Sequence, residues 1–209
     1  MTQSKTLRRW ELALLLGVAL AALLGVWLDG AQAALSDRVI RLHVLANSDS
    51  EADQALKLRV RDRILAEAEE LFVPGAGRAE TEELLRAHLY DLAAAGAEVV
   101  GEAGYSYPVT ASLVHDYWFP TKTYTDFALP AGAYTALRIE IGAGGGQNWW
   151  CVVFPPLCLG SVSETTQETA LEAGLTENQV SLMTGEDEGY VVKFKAVELL
   201  EQFKGWLEG

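Results

Sequence analysis

The hydrophobic period of this chain changes at Tyr107, and that change decides its fold class. Before it, Leu56, Val60, Ile64, Ala68 and Leu71 recur on one helical arc, predicting a helix from Ser50 to Phe72. Ser48 and Glu51 have capping-box spacing at its start, and Pro74-Gly75 stops it. A second helix is expected from Glu80 to Ala95, burying Leu85, Leu89 and Leu92 and ending at Gly96. After Tyr107 the period is two. Val109, Ala111, Leu113, Tyr117 and Phe119 are expected on one strand face. Lys122 to Leu129 reads as extended, and Leu129-Pro130-Ala131-Gly132 as a type I turn. Ala133 to Ile141 alternates, with Leu137, Ile139 and Ile141 inward. Trp149 to Phe154 is apolar on both sides, the pattern of a strand that is central or covered on both faces.

One more strand, Arg38 to Leu45, precedes the helices, with Ile40, Leu42 and Val44 on one face and His43 on the other. The expected architecture is α+β: an N-terminal strand and two helices, then an antiparallel meander and a C-terminal amphipathic helix. That last helix is read from Val192, Ala196, Leu199, Phe203 and Trp206. Before it, residues 161–188 hold seven acids and no Lys or Arg, which predicts a solvated excursion with a short helix at best.

Three parts follow from the composition along the chain. Residues 1–33 have a basic start at Lys5, Arg8 and Arg9 and an uncharged run from Leu12 to Leu28. The small residues of Ala31-Gln32-Ala33 then suit a signal peptidase, so the segment reads as a signal peptide, with an N-terminal membrane anchor as the other reading. Residues 34–158 form the α+β domain, and 159–209 an acidic linker with the final helix. The net charge of -13 disfavours nucleic acid as a partner. Contact with a membrane is expected only through the N-terminal segment, if it stays uncleaved.

No catalytic constellation is legible. There is no G-x-S-x-G elbow, no HExxH or CxxC, and no Asp-Thr-Gly triplet. His43, His88 and His115 lack metal-ligand spacing, so no metal or other cofactor is expected. Gly144 to Gly146 precede a strand and not a helix, so they read as a turn. Cys151 and Cys158, the two cysteines, are compatible with one disulfide or with two buried thiols. Three side chains stand out as candidates for binding a partner. Lys57 and Arg61 follow Asp53 at i+4 and i+8 within the apolar arc of the first helix, either as an ion-pair ladder or as a basic spot on an acidic protein. Trp149 points opposite Trp150, either packed or as an anchor.

The stretch from Tyr117 to Cys158 contains YWFPTKTY, LPAGAY, NWWC and FPPLC, and resembles the stage II sporulation protein R family. IRLHVLANSD from Ile40 and DQALKLRVRDRIL from Asp53 carry the same resemblance. It implies a secreted, non-enzymatic sporulation signal in the space between forespore and mother-cell membranes. There it would activate a membrane-embedded aspartic protease, stage II sporulation protein GA, which matures pro-sigma-E. The family pattern implies no residue-level contact site. The alternative from the residues themselves is an extracytoplasmic envelope-polymer hydrolase or carbohydrate-binding module, resting on Trp149 with Asp116, Asp126 and Glu140.

Export is expected to be required for activity, with cleavage after Ala33. Replacing Ala31 and Ala33 with bulky residues should leave a membrane-tethered precursor, detected by fractionation and N-terminal sequencing. A mature chain that begins at Met1 would contradict the signal-peptide reading.

Overall fold

The computed structural model describes residues 10–20, 33–73, 75–124, 127–158 and 163–184. The cleavage motif at Ala31-Gln32, Asp126 and the C-terminal helix read over 190–209 lie outside them. The chain divides into two units, Met1–Leu35 and Ser36–Gly209. In the first, residues 10–20 are helical. Among the described residues no helix is long and apolar enough to cross a membrane.

The second unit is α+β. Its strands are β1 (Ile40–Leu45), β2 (Val109–Phe119), β3 (Lys122–Thr123), β4 (Ala128–Leu129), β5 (Gly132–Ile141) and β6 (Asn148–Phe154). Its helices are α1 (Glu51–Glu70), α2 (Arg78–Ala87), α3 (Leu89–Glu102), α4 (Ser163–Glu172) and α5 (Glu177–Thr184). The main sheet has the order β2-β5-β1-β6. β1 runs parallel to β5 and antiparallel to β6, while β2 is antiparallel to β5.

The expected meander is therefore corrected to a mixed sheet. β5 and β6 follow one another in sequence, yet β1 lies between them. Periodicity sets which face a residue occupies and is silent about which strand is its neighbour. All six residues of β1 are buried, as a central strand requires, whereas β6 takes the edge.

Ile40, Leu42 and Val44 project from β1 into the main core with Leu56, Val60, Ile64 and Ala68 of α1. Ser50 caps α1 by accepting a hydrogen bond from the Asp53 amide, so the cap lies two residues beyond the Ser48 expected for it. The second expected helix is two helices, broken at His88, and the latter half runs on to Glu102. Gly96 does not end it. A β-carbon there would lie 3.0 Å from Val109 Cγ1 and 3.3 Å from Val60 Cγ1, so its smallness lets α3 approach α1 and the sheet.

β2 also departs from simple alternation. Its pairing with β5 shifts between Val114 and Tyr117, and Asp116 adopts the left-handed conformation with φ 53°. This bulge turns Tyr117 and Phe119 to the face opposite Val109, Ala111 and Leu113, so the single face expected for all five is corrected. The acidic stretch is corrected as well. α4, α5 and the turn between them bury Thr166, Ala170, Leu175, Val180 and Met183, few apolar residues but spaced to fall on an inner side.

The link from β5 to β6 passes over the end of β1 and touches the loop that follows it. Gly146 donates to the Ala46 carbonyl at 3.0 Å, and Gly145 to that of Asn47 at 3.3 Å. A β-carbon on Gly146 would lie 2.3 Å from the Ser48 carbonyl oxygen. Gly146→Ala should therefore lower unfolding stability by ~1–3 kcal/mol in urea melts, the usual cost of overpacking. Gly101→Ala, a helical site with no neighbour within 4 Å, should be neutral or stabilising by ~0.5–1 kcal/mol.

Candidate partner-binding site

The two loops at the end of β1 interlock through side chains. Asn47 Oδ1 accepts from the Ala143 amide at 3.0 Å, and Asp49 Oδ1 accepts from the Gln147 amide at 2.7 Å. Gly142, at φ 60°, lies directly against Asn47, where a β-carbon would meet Oδ1 at 2.2 Å. Asn47 Nδ2 and Ser48 Oγ both donate to Asp53 Oδ2, at 2.9 and 2.5 Å. These hydrogen bonds, Ser48 first, hold the Asp53 carboxyl below the usual carboxylate range.

Lys57 is buried in this junction. Its ammonium donates to Gln54 Oε1 at 2.6 Å and to the Gln147 carbonyl at 2.8 Å, and burial pushes its pKa below the usual lysine value. The expected ladder from Asp53 through Lys57 to Arg61 does not form, because Asp53 turns to the loop and Lys57 to the Gln147 backbone. Lys57 thus ties α1 to the loop before β6, and its head is closed to a partner. A charged residue in an apolar arc signals either role; the pairing that decides between them comes from a loop ninety residues away.

Arg61 and Trp149 do come together. The guanidinium lies 4.4 Å above the centre of the indole ring and pairs with Asp62 Oδ1 at 2.6 Å. The Arg61 side chain is 19% exposed. Together they form a ledge of stacked guanidinium and indole where α1 crosses the start of β6. Cys151 and Cys158 are joined as a disulfide, with Cα atoms 6.0 Å apart. Cys158 Sγ accepts from the Val152 amide at 2.8 Å.

The opposite sheet face carries His43, expected there from the alternation, together with Arg41, whose burial was not expected. Arg41 is fully buried between Phe119 and Tyr134, its guanidinium carbon 4.1 and 5.1 Å from the ring centres. Its Nη2 donates to the Tyr124 hydroxyl at 3.1 Å. His43 is buried beside it, with Nε2 2.7 Å from Asn148 Oδ1. The alternating polar residues of RLH within an apolar strand were the available signal. A second cluster sits at the bulge. His115 Nε2 lies 3.3 Å from Glu82 Oε1, and its Nδ1 lies 3.2 Å from Thr135 Oγ1. Arg78 pairs with the same carboxylate at 3.1 Å, as does Arg86, so Glu82 is a neutralised acid that ties α2 to the bulge.

Among the described residues neither face assembles a nucleophile with a base. Among the described residues no group of three or more His, Cys, Asp or Glu could hold a metal. Glu140 pairs with Arg138 at 2.8 Å and sits opposite Thr110, while Asp116 lies at the bulge about six residues along β2, a distance of ~20 Å. A carboxylate pair for glycoside cleavage needs ~5–9 Å. The Trp149 ring is capped by Arg61 and offers that face to no sugar.

The family model described as stage II sporulation protein R (spore_II_R) matches residues 36–164. The chain is also 38% identical over 124 residues to stage II sporulation protein R of Bacillus subtilis (strain 168). That alignment covers 59% of this chain and 55% of the relative, so it spans about half of the relative's length. No solved structure matches the chain.

His43 supplies a pH test of the buried face. Burial, more than the neighbouring charges of Arg138, Glu140 and Arg41, holds its pKa below the ordinary imidazole value, against the opposing bond to Asn148. The unfolded chain therefore takes up this proton first, so stability is complete above about pH 6.5 and is lost as pH falls below it toward the folded-state pKa. Urea midpoints should fall from pH 7.5 to 5, and His43→Gln should flatten that part of the slope. Equal slopes for the two proteins would rule out this role.

Proposed function

The chain belongs to the stage II sporulation protein R family, and on that premise we propose that it is an extracytoplasmic signal that switches on a membrane-embedded aspartic protease, stage II sporulation protein GA. Its role lies in sporulation, as the family match over residues 36–164 carries. In this reading the chain is exported from the forespore, acts as a ligand and not as an enzyme, and leads the protease to mature pro-sigma-E in the mother cell. The family match is the observation that carries the proposal. It takes in the whole sheet, the interlocked loops and the ledge of Arg61 and Trp149.

The arrangement of the ledge suits a binding role. Arginine and tryptophan are enriched among residues that dominate binding energy, because each offers a large, stiff contact surface with a polar end. Here the two are already stacked, so little side-chain freedom remains to be lost on docking. Lys57 supports the ledge from below by anchoring Gln147, two residues before Trp149. An acidic group on the protease ectodomain is the proposed counterpart of Arg61.

Coexpression of this chain with the protease and its precursor substrate in a non-sporulating host tests the proposal. Processing should depend on the presence of the chain. Arg61→Gln with Trp149→Ala should fold and be exported, yet activate at least about tenfold less, the loss expected of an interface residue worth more than ~1–2 kcal/mol. Lys57→Gln should act instead through stability, lowering the melting temperature. Full processing with the Arg61/Trp149 variant would remove the ledge from the interface, and processing without the chain would remove the signalling role itself.

A further inference from the structure

Where α1 and α4 end, a cavity of about 330 Å³ opens between them and the turn after β6. Glu69 and Phe72 line it from the end of α1, Phe154 and Pro156 from β6 and its turn, and Glu172 and Ala173 from the end of α4. Its volume falls in the range of small-molecule sites, ~300–1,000 Å³. The apolar part is aromatic. The Phe72 and Phe154 rings meet edge to face, with centres 6.2 Å apart. Val73, beside them in the lining, is left 51% exposed.

The charge at this cavity is all of one sign. Glu69 and Glu172 are the ionisable groups that line it, and neither has an ion-pair partner among the described residues. Helix polarity adds to them. The last carbonyls of a helix carry a partial negative charge, which basic residues in the last turn usually offset. α1 and α4 both have no basic residue there. Arg38 donates to the Gly174 carbonyl at 3.4 Å, beyond the end of α4 and outside the cavity lining.

A ligand for this place has to answer two carboxylates and two phenyl rings together. An anion is repelled. A hard metal ion would need more oxygen ligands than two carboxylates supply and finds none at the rings. A neutral apolar molecule would cover the rings and draw water from the carboxylates without replacing it. An ammonium group on a hydrocarbon body meets both needs, since methylenes cover the rings, the N–H groups donate to a carboxylate, and the ring faces attract the charge. A lysine side chain brings one such group, whereas two unpaired carboxylates on one cavity call for two.

We propose that this cavity binds a small aliphatic diamine, with its methylene chain on Phe72 and Phe154 and its ammonium groups at Glu69 and Glu172. None of the lining residues belongs to the ledge, and the site is independent of the signalling role.

Cadaverine, a five-carbon diamine, is the probe, with pentylamine and pentanediol as comparators of the same chain length and fewer charges. Ligand-observed NMR titration of the full chain at pH 7.5 and fixed ionic strength should show saturable binding of the diamine. The monoamine should bind about threefold more weakly and the diol more weakly again, because each exposed ammonium–carboxylate contact is worth a factor of a few. Added sodium chloride should weaken the diamine and leave the diol unchanged. Glu69→Gln with Glu172→Gln, which removes two unpaired and exposed carboxylates, should bring the diamine down to the affinity of the diol. Should that variant not fold, the comparators and the salt dependence of the wild-type chain decide. No saturable binding of the diamine, a diol that binds as tightly, diamine binding indifferent to salt, or undiminished binding by the folded double variant would overturn the proposal.

Discussion

Asn47 and its neighbours hold this structure together by occupying the place where a hairpin turn would otherwise close. The glycine-rich link from Gly142 to Gln147 is short enough to join β5 directly to an adjacent antiparallel strand. Instead it spans the width of β1, and the loop from Ala46 to Asp49 fills it. Backbone amides of residues 143, 145, 146 and 147 all find acceptors there, two of them side chains. Four such bonds hold the link across the end of β1, so the loop's composition and the strand order go together. The same loop starts α1 through Ser50 and fixes Asp53, and α1 returns Lys57 to the Gln147 carbonyl. Strand order, helix placement and the position of Trp149 thus share one set of hydrogen bonds.

Once β1 is central, the sheet has two buried faces of different character. The helical side is apolar, built from Ile40, Leu42, Val44, Leu137, Ile139 and the inner arc of α1. The other side mixes aromatic rings with Arg41 and His43. The bulge at His115 and Asp116 makes this asymmetry. By adding a residue to β2 it sends Leu113 to one face and Tyr117 and Phe119 to the other. Phe119 then meets the Arg41 guanidinium, and Tyr134 closes the other side. Without the bulge, Phe119 would fall on the helical side and Arg41 would lose one of its two rings.

The α+β class, β1, the first helix and the alternation of β5 were legible in the sequence, because each rests on local periodicity and on caps within a few residues. The strand order was not, since the pairing of Leu42 with Leu137 and with Cys151 joins residues far apart along the chain. The bulge was hidden because Val109 to Phe119 alternates well enough to look regular, and Asp116 gives little warning of a left-handed backbone. Gly96 misled for a related reason: a glycine in a helical pattern marks either an end or a close approach, and only the neighbouring Val60 and Val109 decide. Of the candidate contact residues, Arg61 and Trp149 were found separately, and their stacking was not legible because it joins α1 to β6. Lys57 looked equivalent to Arg61 one turn away, yet the Gln147 carbonyl reaches only the former.

The two edges of the sheet bear on how such a protein can be recognised. β6 is an edge strand of apolar residues, the kind that invites pairing with another chain. Two of its backbone groups are already engaged by side chains: the Trp150 carbonyl accepts from the Tyr124 hydroxyl at 3.2 Å, and the Val152 amide donates to Cys158 Sγ. Those contacts come from the segment carrying β3 and β4 and from the disulfide turn after β6. β2, the other edge, is interrupted by its bulge. With both edges blunted, strand addition is disfavoured, and the recognition proposed above would fall to side chains presented on rigid elements. The stacked Arg61 and Trp149 meet that condition, since one is carried by α1, the other by β6, and both elements are pinned by the loops around Asn47.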